Sequence, residues 1–200
     1  MAQVSNCAAG NRMRMDNFDR AATMSWTEVS MAPSEEMSND EVNRAWSKLV
    51  EEVRTGVLLT LREGHPFGSH VPYIFGDDWS HVYLHLSRLA FHTQHLLSDP
   101  RSGLFSAEPD KPGKNPLALQ RMNLWGHAAA LPPAGALYEA IKERYLEKFP
   151  QSRMMFGFGD FGLWELSMND AHLVLGFGQA YQVDASAPTQ WRHQRPEKKT

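Results

Sequence analysis

Nine histidines are the most obvious source of chemistry in this 200-residue chain. His81 and His85 fall on one face of an alternating stretch, and His92 and His95 stand about one helical turn apart. A zinc site needs three or four converging ligands. No carboxylate recurs at matching spacing, and the single cysteine, Cys7, allows neither an intrachain disulfide nor a multi-cysteine site. These histidines therefore read as exposed or core residues. Ser87 opens a different possibility. A serine ahead of a helical stretch, followed by Arg88 and His92, offers a hydroxyl, free backbone N–H groups and positive charge to a phosphate. The same serine also suits an ordinary helix cap. Asp160, between Gly159 and Phe161, reads as a turn aspartate bonding its own backbone. His193 sits in a polar tail beside Trp191 and Arg192, where an exposed imidazole is expected. The chain has no GxSxG, Walker or HExxH motif. Gly157-Phe158-Gly159 and Gly176-Phe177-Gly178 are Gly-aromatic-Gly turns rather than dinucleotide loops.

The elements that position these residues begin at Ser38. Ser38-Asn39-Asp40-Glu41 fits a capping box, and Val42, Ala45, Trp46, Leu49, Val50 and Val53 follow at helical spacing, with Gly56 as the stop. Strands are predicted over 57–61, 69–75, 81–86 and 102–107, with turns at 63–68 and 76–78. A helix capped by Ser87 covers 88–97. A long strand covers 117–130, with an irregularity at Gly126. A helix opened by prolines covers 133–149. A closing hairpin joins 161–166 to 173–183 around Asn169-Asp170. Short connections favour antiparallel pairing, and closure removes exposed edges. The expected fold is mainly β with peripheral helices, a closed antiparallel barrel.

Hydrophobic residues at 42%, charged residues at 22% and a net charge of -3 describe an ordinary globular chain without a basic field for nucleic acid. No apolar stretch reaches membrane-spanning length, and the first twenty residues hold no secretory signal. A soluble cytoplasmic protein is expected. It should have a mobile head at 1–37, a barrel at 38–184 and a flexible tail at 185–200, with both ends dispensable.

Several segments together carry a family resemblance. They are His65-Pro66-Phe67-Gly68-Ser69-His70-Val71-Pro72-Tyr73, Leu86-Ser87 through Ala90-Phe91-His92-Thr93 to Leu96, Asp99-Pro100-Arg101, Gly159-Asp160-Phe161, and Gly176-Phe177-Gly178-Gln179-Ala180-Tyr181-Gln182-Val183. The set resembles the pyridoxamine 5′-phosphate oxidase-like, FMN-binding split barrels, and within them the haem-utilisation (HugZ-type) branch. The resemblance implies a homodimer with FMN or haem at the subunit interface. Ser69, Val71, Pro72 and Tyr73 would line the flat ring; Ser87, Arg88, His92 and Thr93 would hold an FMN phosphate. With haem, His193 would ligate the iron and Asp160 would tune it. Flavin-dependent redox chemistry or oxygen-dependent haem breakdown follows, or a non-catalytic storage or interaction module that kept only the fold. Relatives usually carry Arg-Asn where this chain has Gln94-His95, and losing a guanidinium removes a charge-assisted phosphate contact.

Overall fold

The structure, a computed structural model, describes residues 36–195. The predicted mobile head, Glu36 and Met37 apart, and with it Cys7, lies outside the described residues.

Helix α1, Asn39–Glu52, starts at the Ser38 capping box. Ser38 Oγ accepts from the Glu41 amide, and the Glu41 carboxylate accepts from the Ser38 amide. Nine strands follow: β1 Thr55–Arg62, β2 His65–Pro72, β3 Ile74–Phe75, β4 His81–Ser87, β5 Arg101–Ala107, β6 Arg121–Ala130, β7 Phe161–Gly176, β8 Gln179–Asp184 and β9 Arg192–His193. Helix α2, Phe91–Ser98, lies between β4 and β5, and helix α3, Ala136–Lys148, between β6 and β7. The sheet runs β2-β1-β5-β6-β7-β4-β3, all antiparallel, with β8 and β9 extending the far half of β7. Its two ends are consecutive pieces of chain: β2 pairs with β1, and β3, after Tyr73 alone, pairs with β4. That continuity curls the sheet into the expected split barrel.

Leu58, Leu84, Leu104, Leu124, Leu166 and Leu173 fill the barrel, and Trp46 of α1 and Leu96 of α2 pack into the same core. A second cluster forms outside, where Ile141, Tyr145 and Phe149 cover Ile74, Tyr83 and Leu163. Both faces of β4 are consequently buried, which overrides the half-buried alternation expected there. The bulge falls between Trp125 and Gly126, as expected. A Cβ on Gly126 would stand 1.8 Å from the Ser167 carbonyl oxygen, so only glycine permits this crossing.

Other expectations are corrected. Residues 65–68 continue β2, because the turn needs only Glu63-Gly64, both at positive φ. Ser87 does not cap α2; Ala90 occupies the N-cap without a side-chain bond, and the helix begins at Phe91. Asn169-Asp170 is no hairpin: β7 runs through it unbroken, and the reversal falls at Gly176-Phe177-Gly178, where both glycines take positive φ. Gly56 lies inside β1 rather than ending α1.

The C-terminal segment is tied down through at least residue 193. Trp191 is buried edge-on against Trp46 at 4.8 Å. Its backbone N–H donates to Asn39 Oδ1 at 2.6 Å, and its indole N–H to Asn43 Oδ1 at 2.8 Å. Asn43 Nδ2 donates back to the Thr189 carbonyl at 3.1 Å. Ending the chain after Asp184 should therefore lower the unfolding free energy by about 3 kcal/mol, the scale of deleting a buried large aromatic. Trp191→Ala should reproduce most of that loss. An unchanged denaturant midpoint in both variants would show that the clamp carries no weight.

Candidate functional site

The barrel opens where the β3–β4 ladder stops. That ladder ends at Ile74 opposite Tyr83, and beyond it His85 to Ser87 pair only with β7 while β2 pairs only with β1. Helix α2 leaves the end of β4 and lies against β1 and β2. His95 Nδ1 is hydrogen-bonded to Thr60 Oγ1 at 3.1 Å, and the His95 and Phe91 rings meet Phe67. Ser69 and Pro72 are half-buried on β2, and Ser87 is half-buried at the end of β4.

On the Ser87 side a compact polar node forms. Ser87 Oγ donates to Asp160 Oδ2 at 2.5 Å and accepts from the Leu89 amide at 3.1 Å. The Arg88 amide donates to the Asp160 carbonyl at 2.7 Å, and its guanidinium to the Gly159 carbonyl at 2.8 Å. Gln94 Nε2 donates to the Arg88 carbonyl. Antiparallel pairing of Ser87 with Phe161 places Asp160 beside Ser87. The sequence named every member of this node and missed the bond that joins Ser87 to Asp160, since nothing local links positions so far apart. Exposed Leu89 and Phe91 flank the node in the chain, and exposed Phe158 lies just before it.

Helix α2 contributes two buried polar atoms without a partner among the described residues, His92 Nε2 and Thr93 Oγ1. Burial, and then the neighbouring His95, hold the His92 imidazole below its ordinary pKa. Val71 and Tyr73 are core residues. Tyr73 is fully buried, donates to the Val53 carbonyl at 2.8 Å, and burial pushes its phenol up to about 12. Neither side chain offers a wall to a ligand in this conformation.

His193 is elsewhere. It pairs with Tyr181 in β9, its ring 5.0 Å from the tyrosine ring. Its Nε2 lies 2.9 Å from the Gly178 carbonyl, an acceptor only, so that nitrogen carries the proton. Nδ1 is left as the lone-pair nitrogen, buried and unpartnered. Ser87 lies opposite Phe161, and Tyr181 lies opposite Leu173, farther along the same strand. At about 3.3 Å per residue, that is on the order of 40 Å of strand before curvature. One chain does not bring Asp160 and His193 together.

His85 shares a face of β4 with Ser87 and is also buried. Phe156, from the 3-10 segment Pro150–Gly157, stacks on it at 3.8 Å and 8°. Its Nε2 has no partner. No group of three metal-ligating side chains forms among the described residues.

The sheet order and the split define an antiparallel split barrel, a fold shared with a putative pyridoxamine 5′-phosphate oxidase from Listeria innocua, TM-score 0.51 at 14% identity over 69% of this chain and 98% of that one. Residues 37–191 match the family model described as CREG, beta-barrel, and the chain belongs to that family. It is 32% identical over 142 residues to the chloroplastic heme oxygenase HOZ of Arabidopsis thaliana, a match covering 66% of this chain and 42% of that protein. The heme binding protein of Mycobacterium smegmatis superimposes with a TM-score of 0.65 at 26% identity, over 77% of this chain and 61% of that one. ChuZ of Campylobacter jejuni superimposes with a TM-score of 0.69 at 19% identity, over 82% and 68%. No helix among the described residues is long and apolar enough to cross a membrane.

Acid titration reads how tightly the layer beside the split is sealed. Burial pushes the His85 imidazole down from 6.5 to about 4. The folded protein therefore keeps it neutral while the unfolded chain takes up a proton near pH 6.5. Stability should be complete above about pH 6.5 and fall by on the order of 2 kcal/mol as pH drops toward 4. His85→Phe should flatten that slope in urea denaturation followed between these limits. An equal slope in the variant would assign the acid sensitivity to other groups.

Proposed function

We propose that this protein binds haem rather than FMN, at a site completed by a second copy of the chain, and supports oxygen-dependent haem breakdown. The observation that carries the choice of cofactor is the bond from Ser87 to Asp160. Where a flavin phosphate would need the serine hydroxyl and net positive charge, the serine is already donating to a carboxylate. The one neighbouring guanidinium, Arg88, is spent on the Gly159 carbonyl. Bringing a phosphate beside that carboxylate sets like charges together, with no second cation at Gln94 or His95 to offset them.

The donor set suits haem instead. His193 holds a proton on one nitrogen through Gly178 and keeps a free lone pair on the other, the form in which imidazole binds iron. That nitrogen is buried in the single chain, so ligation requires β9 to shift. Bound haem would supply the iron for oxygen chemistry and the porphyrin that is opened. The chain's own part is to orient an imidazole through the Gly178 carbonyl and to fix a carboxylate by way of Ser87.

Two features support a homodimer. Asp160 and His193 lie far apart along β7, so a site using both must draw them from two subunits. The outer face of β1, β5 and β6 also lacks a covering helix among the described residues. Leu59, Gly103 and Trp125 line a groove of about 280 Å³ there, and Phe105 is exposed on β5. A symmetric partner is the economical cover for such a face. The similarity to the Arabidopsis thaliana non-canonical heme oxygenase and the Mycobacterium smegmatis heme binding protein supports the haem reading.

Haem and FMN titrations of the purified protein test this. A Soret band should appear with haem, and FMN should bind at least roughly tenfold more weakly. His193→Ala should weaken haem and shift its band, while Arg88→Ala should leave haem binding unchanged. Asp160→Asn should improve FMN affinity by removing the repulsive charge. Light scattering should give a dimer, and ascorbate with oxygen should bleach the Soret band. A band that persists through that treatment would favour haem storage over breakdown. FMN binding as tight as haem in the parent protein would overturn the choice of cofactor.

A further inference from the structure

Away from the split, α1, α3 and the β3–β4 turn enclose a cavity of about 510 Å³, within the range of small-molecule sites. Val50, Ile74, Phe75 and Trp79 supply apolar wall. Trp79 is held there at a cost. Its φ of 59° lies in the left-handed region, a genuine outlier for so bulky a residue. The indole is fixed between Trp46 at 4.7 Å and Phe75 at 5.5 Å.

Three cations share this cavity with three carboxylates, and they are not equivalent. Arg144 is paired with Asp77 at 3.0 Å and donates to the Phe75 carbonyl at 2.8 Å. Lys148 and Arg54 have no carboxylate within ion-pairing distance among the described residues, while Glu51 and Glu147 are exposed. Lys148 Nζ donates to the Val50 carbonyl at 3.0 Å, and Arg54 to the Lys148 carbonyl at 2.7 Å. Lys148 also lies over the Tyr73 ring at 5.1 Å. Burial, reinforced by Arg54 and only partly opposed by the Glu51 carboxylate, pushes its ammonium down to about 8. A half-buried ammonium with two N–H donors to spare, beside an unpaired guanidinium and a wall of rings, lacks an anion with an apolar body.

We propose that this cavity is a second ligand site, taking a small planar aromatic carboxylate with its ring against Phe75 and Trp79 and its carboxylate on Lys148 and Arg54. An anion there would form two charge-assisted bonds and relieve the repulsion between the cations. The site uses no residue of the proposed haem site, so either can fail without the other.

Titration of the full-length dimer or monomer with naphthoate, read by quenching of tryptophan fluorescence and by calorimetry, tests the proposal. One naphthoate should bind per chain, and the neutral isostere naphthylmethanol should bind roughly tenfold more weakly. Lys148→Met should weaken naphthoate by a similar factor, and Lys148→Arg should retain it. Arg54→Gln, at an exposed position, gives a second reading where Lys148→Met impairs folding. His193→Ala and Arg88→Ala should leave naphthoate binding unchanged. Absence of saturable binding, equal affinity for the neutral isostere, or loss of binding in His193→Ala would overturn it.

Discussion

Tyr73 is the single residue on which the ring of strands closes. On its N-terminal side the chain is bonded to β1, and on its C-terminal side to β4, so one peptide run forms both edges of the sheet. Two edges made from one segment cannot separate without breaking the chain's own direction, which gives closure without a covalent link. The phenol reinforces the point. It donates to the Val53 carbonyl at the end of α1 and meets Ser106 Oγ of β5 at 3.1 Å. Ser106 Oγ also lies 3.2 Å from the Thr55 carbonyl of β1, so its single proton goes to that carbonyl or to the phenol oxygen. A fully buried hydroxyl with satisfied bonds specifies one arrangement, because any slip would leave it unpaired in the core.

The same closure creates the split. Since β3 is only two residues long, its ladder with β4 ends early, and the upper end of β4 has β7 as its only strand partner. Helix α2 spans the gap but starts only after three intervening residues, Arg88 to Ala90. Ser87 is thereby freed from capping duty and turned to Asp160. A carboxylate fixed at that spot follows from strand register, and the proposed preference for haem rests on that carboxylate.

Much of this was legible in the sequence, for reasons that were local. The Ser38 box, the stripe from Val42 to Val53 and the bulge at Gly126 all depend on neighbours within a few residues or on the absence of a side chain. The family motifs carried the split barrel as a whole. What the sequence misplaced depends on distant partners. Asn169-Asp170 looks like a turn until β6 and β8 both claim that stretch of β7. His85 reads as either exposed or core, and only the cover by α3 and Phe156 decides for the core. The tail looks free until Asn39 and Asn43, some 150 positions away, are seen to hold Trp191. At the site, Ser69, Pro72, Ser87, Arg88 and Asp160 were named as candidates. That Tyr73 and Val71 belong to the core required the burial pattern of the closed barrel.

Helix α1 then acquires a role larger than capping a core. Its apolar stripe, Val42, Trp46, Leu49 and Val50, packs into the barrel. A neighbouring stripe, Asn39, Asn43, Ser47 and Glu51, repeats every four residues and so stays on one face. The first half of that stripe clamps Trp191, two residues before His193, and the second half lines the cavity near Lys148. Trp46 touches both Trp191 and Trp79 from the core side. A single rigid helix thus fixes both the strand that carries the candidate iron ligand and a wall of the cavity. Among the described residues, Trp46 is the one α1 side chain that meets a ring from each side.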